Sequence, residues 1–190
     1  SDTVAMLLEE LVSDYPQIQF NLVTGTSDDI SDRLEKGILD LAVLLEPIDL
    51  REVETVLLPR EERWGILVSR ELFIAKKDVL TPEGIKGLPL LCSSRPEVQR
   101  LLAKWSGSPF EQLNVVGNFN LIFNVLPLVD HKVGAALTVE GAISDRKLEE
   151  SVFIPLYPTV KTNCVLVWKK RLQTPAVQEL INRFKYAFQL

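Results

Sequence analysis

The sequence predicts an α/β fold built from two halves of similar kind. Three observations carry that prediction. Segments with helical spacing of apolar residues alternate with strand-sized apolar runs. Two of those runs, Leu39 to Leu45 and Cys164 to Trp168, are apolar almost throughout, as in strands covered on both faces. The alternation of the first half then returns in the second.

In the first half, Val4, Leu7, Leu8, Leu11 and Val12 mark a helix over Val4 to Tyr15, and Pro16 ends it. Gln17 to Val23 alternates polar and apolar residues and reads as a strand. Gly25-Thr26-Ser27 is a turn. Thr26 or Ser27 caps the next helix, whose first turn carries Asp28 and Asp29 at the positive end of its dipole. Ile30, Leu34 and Ile38 form the buried face, and Gly37 terminates it. Leu39 to Leu45 follows as a strand. Strands joined through helices imply a parallel sheet with right-handed crossovers, and a further strand is expected ahead of the first helix.

In the second half, Trp64 to Ser69 is a strand. Thr81-Pro82-Glu83 is a cap with proline at the first helical position, opening a short helix through Ile85 and Leu88. Leu90 to Cys92 is a strand and Ser93-Ser94-Arg95 a turn. Pro96 opens a helix with Val98, Leu101, Leu102 and Trp105 on one face. Asn114 to Val116 is a strand, Gly117 to Asn120 a turn, and a helix runs through Ile122, Val125, Leu126 and Val129, where Pro127 predicts a kink. Gly134 to Val139 is a strand. The tail holds Phe153 to Leu156 as an edge segment, Asn163 to Trp168 as a buried strand, and a helix capped by Thr174-Pro175.

Composition narrows the function. The 190 residues are 46% hydrophobic and 25% charged, a globular balance that excludes disorder. The apolar runs are far short of a membrane span, so no membrane association is expected. The N-terminus reads as an amphipathic helix rather than a signal peptide. Cys92 and Cys164 sit apart in apolar runs, as buried reduced thiols do, and no Asn-x-Ser/Thr site occurs. A cytoplasmic setting is expected. Net charge is −5 with Lys and Arg scattered, so these residues alone are not expected to bind DNA.

No metal or cofactor is expected. His131 is the one histidine and lies near a helix end, where a surface role suits it. Paired-cysteine, phosphate-loop, dinucleotide and nucleophile-elbow motifs do not occur, so no catalytic residues are assigned. The many carboxylates fall on polar helix faces or in turns. Three strand–turn–helix corners remain: Gly25-Thr26-Ser27, Ser93-Ser94-Arg95 and Asn118-Phe119-Asn120. Each lies at the carboxyl end of an expected parallel strand and at a helix N-terminus, where carboxylates and phosphates bind. Helix capping alone also accounts for any one of them. Arg95 is the sharpest candidate, because a guanidinium can hold a carboxylate bidentately.

Taken in order, these segments resemble a known family. Tyr15-Pro16 closing a helix, Gly25-x-Ser27 opening the next, and Leu34-x-x-Gly37-x-Leu-Asp40-Leu-Ala42 are similar to the effector-binding domain of LysR-type transcriptional regulators. So are Val129 to Gly134 leading into Ala135-Ala-Leu-Thr138, and Trp168-Lys-Lys before Thr174-Pro-Ala-Val177. Leu58 to Val68 resembles one LysR-type subgroup more closely.

The resemblance implies two Rossmann-like lobes joined by two crossing strands, like a type 2 periplasmic binding protein. Lobe I would be residues 1–68 with 165–190, and lobe II residues 69–164. A small anionic effector would bind between the lobes. Thr26 and Ser27 would serve the first lobe, Ser93, Ser94, Arg95, Phe119 and Asn120 the second, and Thr138 would lie near the hinge. It also implies a homodimer, with DNA bound only through a winged helix-turn-helix part absent from these residues. Departures stand out. The family's first strand and its serine or threonine would precede Ser1. Lys132 stands where glycine is common, and Leu44 and Leu45 where a polar contact is common. Two other readings of the scaffold stay open: an exported solute-binding protein, or an enzyme with a carboxylate pair.

Overall fold

The computed structural model describes residues 2–189. In chain order they form α1 (Asp2–Asp14), α2 (Ser27–Glu35), β1 (Ala42–Leu45), β2 (Val53–Ser69), β3 (Leu90–Ser93), α3 (Pro96–Ser106), β4 (Val115–Phe119), α4 (Leu126–Asp130), β5 (Ala135–Val139), β6 (Ser151–Pro155), β7 (Lys161–Lys169) and α5 (Pro175–Phe188). Two units result: Ser1–Arg60 with Asn163–Leu190, and Glu61–Thr162. Strands β2 and β7 contribute to both. The first divide falls earlier along β2 than the expected 68/69, and the second falls at 162/163 rather than 164/165. Strand β2 is continuous from Val53, so the chain changes unit in mid-strand and no turn marks the place.

The first unit is a sheet in the order β1-β7-β2 with helices on both faces. Period-two alternation along β7 divides its core. Cys164, Leu166 and Trp168 pack with Leu7, Val56, Leu58, Ile181 and Phe184 beneath α1 and α5. Val165 and Val167 pack with Ile30, Leu34, Ala42 and Leu44 beneath α2. Arg183 on α5 closes the α1 side by pairing with Asp14 at 2.7 Å.

Several expectations change here. Gln17 to Val23 belongs to no strand among the described residues, and Phe20, Leu22 and Val23 are exposed. Alternation makes a strand only where a neighbour completes the ladder and covers one face, and none does so. Strand β1 is shorter than predicted and alternates in burial, with Val43 exposed. It pairs antiparallel with β7 rather than in a parallel unit. Ile38 is 65% exposed because the helix has already ended. Gly37 at φ +73 makes that end, as expected.

The second unit orders its strands β2-β5-β3-β4, with β6 also paired to β2. Strands β5, β3 and β4 are mutually parallel, and β2 is antiparallel to β5 and β6. Ile66, Leu67 and Val68 are fully buried, so both faces of β2 are covered. Leu67, Leu91, Ile122, Val125, Val129, Ala136 and Ile143 form one packed layer.

Thr81 accepts the Gly84 N–H at 3.2 Å, yet no helix follows. The cap forms, but Gly84 and Gly87 leave too short a run to repay nucleation. Gly117 to Phe119 extend β4 instead of forming a turn. Pro127 does not kink a helix. Ile122–Asn124 is a separate 3-10 turn, and Pro127 sits in the first turn of α4, where its missing N–H costs nothing.

Candidate functional site

Three parallel strands of the second unit end at one level. Ser93 of β3 stands opposite Phe119 of β4. Leu90 and Leu91 stand opposite Ala135 and Ala136 of β5, and carrying that step forward puts Thr138 level with Ser93. Carboxyl ends of parallel strands are where open α/β sheets hold ligands. Of the candidate residues, Ser93, Ser94, Arg95, Phe119, Asn120 and Thr138 therefore gather in this unit.

Backbone bonds hold the corner before α3. The Ser94 N–H donates to the Phe119 carbonyl at 3.2 Å, and the Ser94 hydroxyl donates to the same oxygen at 3.4 Å. The Arg95 N–H donates to Ser93 Oγ at 3.2 Å. Gln99, one turn into α3, donates through Nε2 to the Ser93 carbonyl at 3.1 Å. Asn120 Oδ1 accepts from Asn124 Nδ2 at 3.3 Å, and Asn120 is exposed. Thr138 is 6% exposed and pairs with Gly65 of β2, so it lies deeper than the others.

The electrostatics rest on Arg95 more than on the helix end. Pro96 offers no N–H, and Val98 and Gln99 both donate to the Arg95 carbonyl. Few backbone donors are left for an anion, so the guanidinium supplies most of the positive field. The Arg95 side chain is 17% exposed, and its Nε lies 3.7 Å from Glu97 Oε2. Sequence reading missed Glu97. Residues two apart do not face each other within a helix, but Arg95 is the N-cap, outside the helical turn, and its side chain can lie over Glu97.

Thr26 and Ser27 belong to the first unit. Thr26 Oγ1 accepts the Asp29 N–H at 3.1 Å, so this hydroxyl caps α2. Asp28 and Asp29 crowd the same end, and Asp29 pairs with Arg33 at 3.2 Å. Two carboxylates already occupy the field an anion would use. Leu44 is part of the core beneath α2.

Two cavities lie away from these residues. One of about 410 Å³ in the second unit is lined by Leu126, Asp130 and the Arg146 to Ser151 stretch. One of about 470 Å³ in the first unit lies against α1 and α5. No group of metal-ligating side chains occurs among the described residues. Burial pushes the Cys92 thiol up to about 11, which leaves it protonated and unreactive. His131 is exposed at the C-cap of α4.

Comparison with curated proteins yields no match. Among solved structures, the chain is similar to HinK, a LysR family transcriptional regulator from Pseudomonas aeruginosa. The TM-score is 0.70 at 19% identity, over 98% of this chain and 67% of that one. It is similar to full-length CbnR in complex with its target DNA, with TM-score 0.72 at 14% identity over 97% of this chain and 65% of that one. It is also similar to a reduced form of OxyR from N. meningitidis, with TM-score 0.70 at 15% identity over 98% and 89%. The chain thus spans about two thirds of the length of HinK and CbnR. These likenesses fix an α/β fold of the periplasmic-binding-protein type. The LysR substrate binding domain family matches residues 1–189, and the chain belongs to that family.

Proposed function

We propose that this chain is the sensing part of a bacterial transcriptional regulator, and that the corner before α3 takes the acid group of a small anionic metabolite. The observation that carries this is the gathering of Ser93, Ser94 and Arg95 with Phe119 at the carboxyl ends of parallel strands. Arg95 supplies charge, and Phe119 and Asn120 border the ligand. The Ser93 hydroxyl, which accepts the Arg95 N–H and still has its own proton to donate, supplies orientation, and Ser94 holds the corner through the Phe119 carbonyl. Thr138, buried beneath them, positions the end of β5. The role is binding rather than catalysis.

Binding acts on transcription only if the metabolite favours one arrangement of the full-length protein over another. A coupling of roughly 1–3 kcal/mol is the usual scale. The full-length protein works as a homodimer in the cytoplasm and meets DNA through a separate part. No described helix is long and apolar enough to cross a membrane.

A calorimetric screen of small carboxylates and phosphates against the full-length protein tests the reading. At least one anion binds, and Arg95→Ala weakens it by about tenfold or more, the scale of a lost charge-assisted hydrogen bond. An anion that binds equally well to Arg95→Ala, or a screen with no binding at all, ends the assignment.

A further inference from the structure

The corner before α3 contains a carboxylate that the proposed function leaves unused. Glu97 is the second residue of α3, and its side chain is 14% exposed. Its Oε2 is buried and accepts no hydrogen bond among the described residues. The Arg95 Nε, at 3.7 Å, is an ion-pair partner beyond hydrogen-bond reach. A buried carboxylate oxygen without a donor is costly, and drawing the guanidinium away raises that cost.

This further step rests on the reading of the corner as an acid-binding site. We propose that Glu97 is the residue that sets its specificity. A ligand that brings only an acid group competes with Glu97 for Arg95 and leaves the buried oxygen worse off. A ligand that also carries a hydroxyl or ammonium group beside its acid returns a hydrogen bond to Oε2 as Arg95 turns towards the ligand. The class selected is therefore a 2-hydroxy or 2-amino carboxylic acid over its unsubstituted counterpart.

Succinate, malate and aspartate share a carbon skeleton and differ in the donor at one carbon. Titrated into the full-length protein, malate or aspartate binds about tenfold more tightly than succinate, the scale of one unpaired buried acceptor. Glu97→Ala and the isosteric Glu97→Gln each bring succinate to within about twofold of the better ligand, by strengthening succinate. Unfolding curves of both variants confirm that they fold, and Glu97→Gln keeps the shape should Glu97→Ala not. Equal binding of all three acids, or a gap unchanged in a folded variant, overturns the role of Glu97 and leaves the acid site standing. Arg95-dependent binding of other anions but none of these three does the same. Absence of binding by any anion removes the acid site and the role of Glu97 together.

Discussion

Lys132 takes a backbone conformation that lysine rarely adopts. It follows α4 and His131 at φ +63, the left-handed region that costs a side chain with Cβ about 1 kcal/mol or more. The reversal leads the chain straight into β5 and leaves little room to relax. Its ammonium pairs with Glu71 across an exposed surface and holds that carboxyl below its ordinary value of 4.5. Lys132→Gly relieves the backbone and removes the pair. Because the folded value of Glu71 is depressed, the pair stabilises the fold above 4.5 and ceases to as pH falls through the depressed value. Lys132→Gly is therefore expected to gain about 1 kcal/mol in acid, where the pair is already lost, and less at neutral pH. Denaturant unfolding at neutral pH and in steps below 4.5 measures this. A variant that is less stable at every pH would contradict it. The sequence pointed to Lys132 as a departure from glycine, but only the dihedral shows that the glycine conformation is kept.

Strand β2 decides the next scale. It carries two neighbours at once, β5 and β6, and Gly65 lies where both approach. A Cβ at Gly65 would run into the Ile154 carbonyl and the Phe153 ring. Gly65→Ala is expected to cost about 1–3 kcal/mol, because neither a backbone carbonyl nor a packed ring gives way cheaply. A denaturation midpoint within error of the native protein would show that β6 shifts freely. Legibility varied by element for a physical reason. Helices α1, α3 and α5 were readable because caps and 3.6-residue spacing are local. Thr174 accepts the Val177 N–H at 3.4 Å and Pro175 opens α5 as read. Gln17 to Val23 was misread because a strand depends on a neighbour that local alternation does not report. Residues Val53 to Arg60 went unread for the opposite reason. Their charged residues break the alternation, yet β7 supplies a ladder, and α1 and α5 cover Val56 and Leu58.

At the scale of the whole molecule, charge and division into units matter most. The net charge is −5, and Lys and Arg are dispersed. Many of the basic groups are tied to acids, as in Arg63 with Glu140, Lys169 with Glu35 and Arg183 with Asp14. Affinity for duplex DNA depends on clustered, unpaired cations that displace counterions. The 190-residue chain is expected to show no retardation of duplex DNA at about 150 mM salt. A discrete complex that fades as salt rises would overturn this. Each unit has its own buried clusters, α1, α2 and α5 around the β7 end of the sheet in one and α4 with the β3–β5 layer in the other. Asp28 and Asp29 already occupy the positive end of the first unit's α2, which is why the proposed acid site is assigned to the second unit, where Arg95 stands.

By itself the sequence determined the fold class, the family, the ends of most helices and the residues of the corner before α3. Those follow from short-range spacing, capping chemistry and the order of motifs, all of which lie along the chain. Tertiary structure decided which alternating segments became strands and where β2 passes from one unit to the other. Each of these depends on a ladder partner brought close by folding, and one-dimensional spacing carries no record of such neighbours.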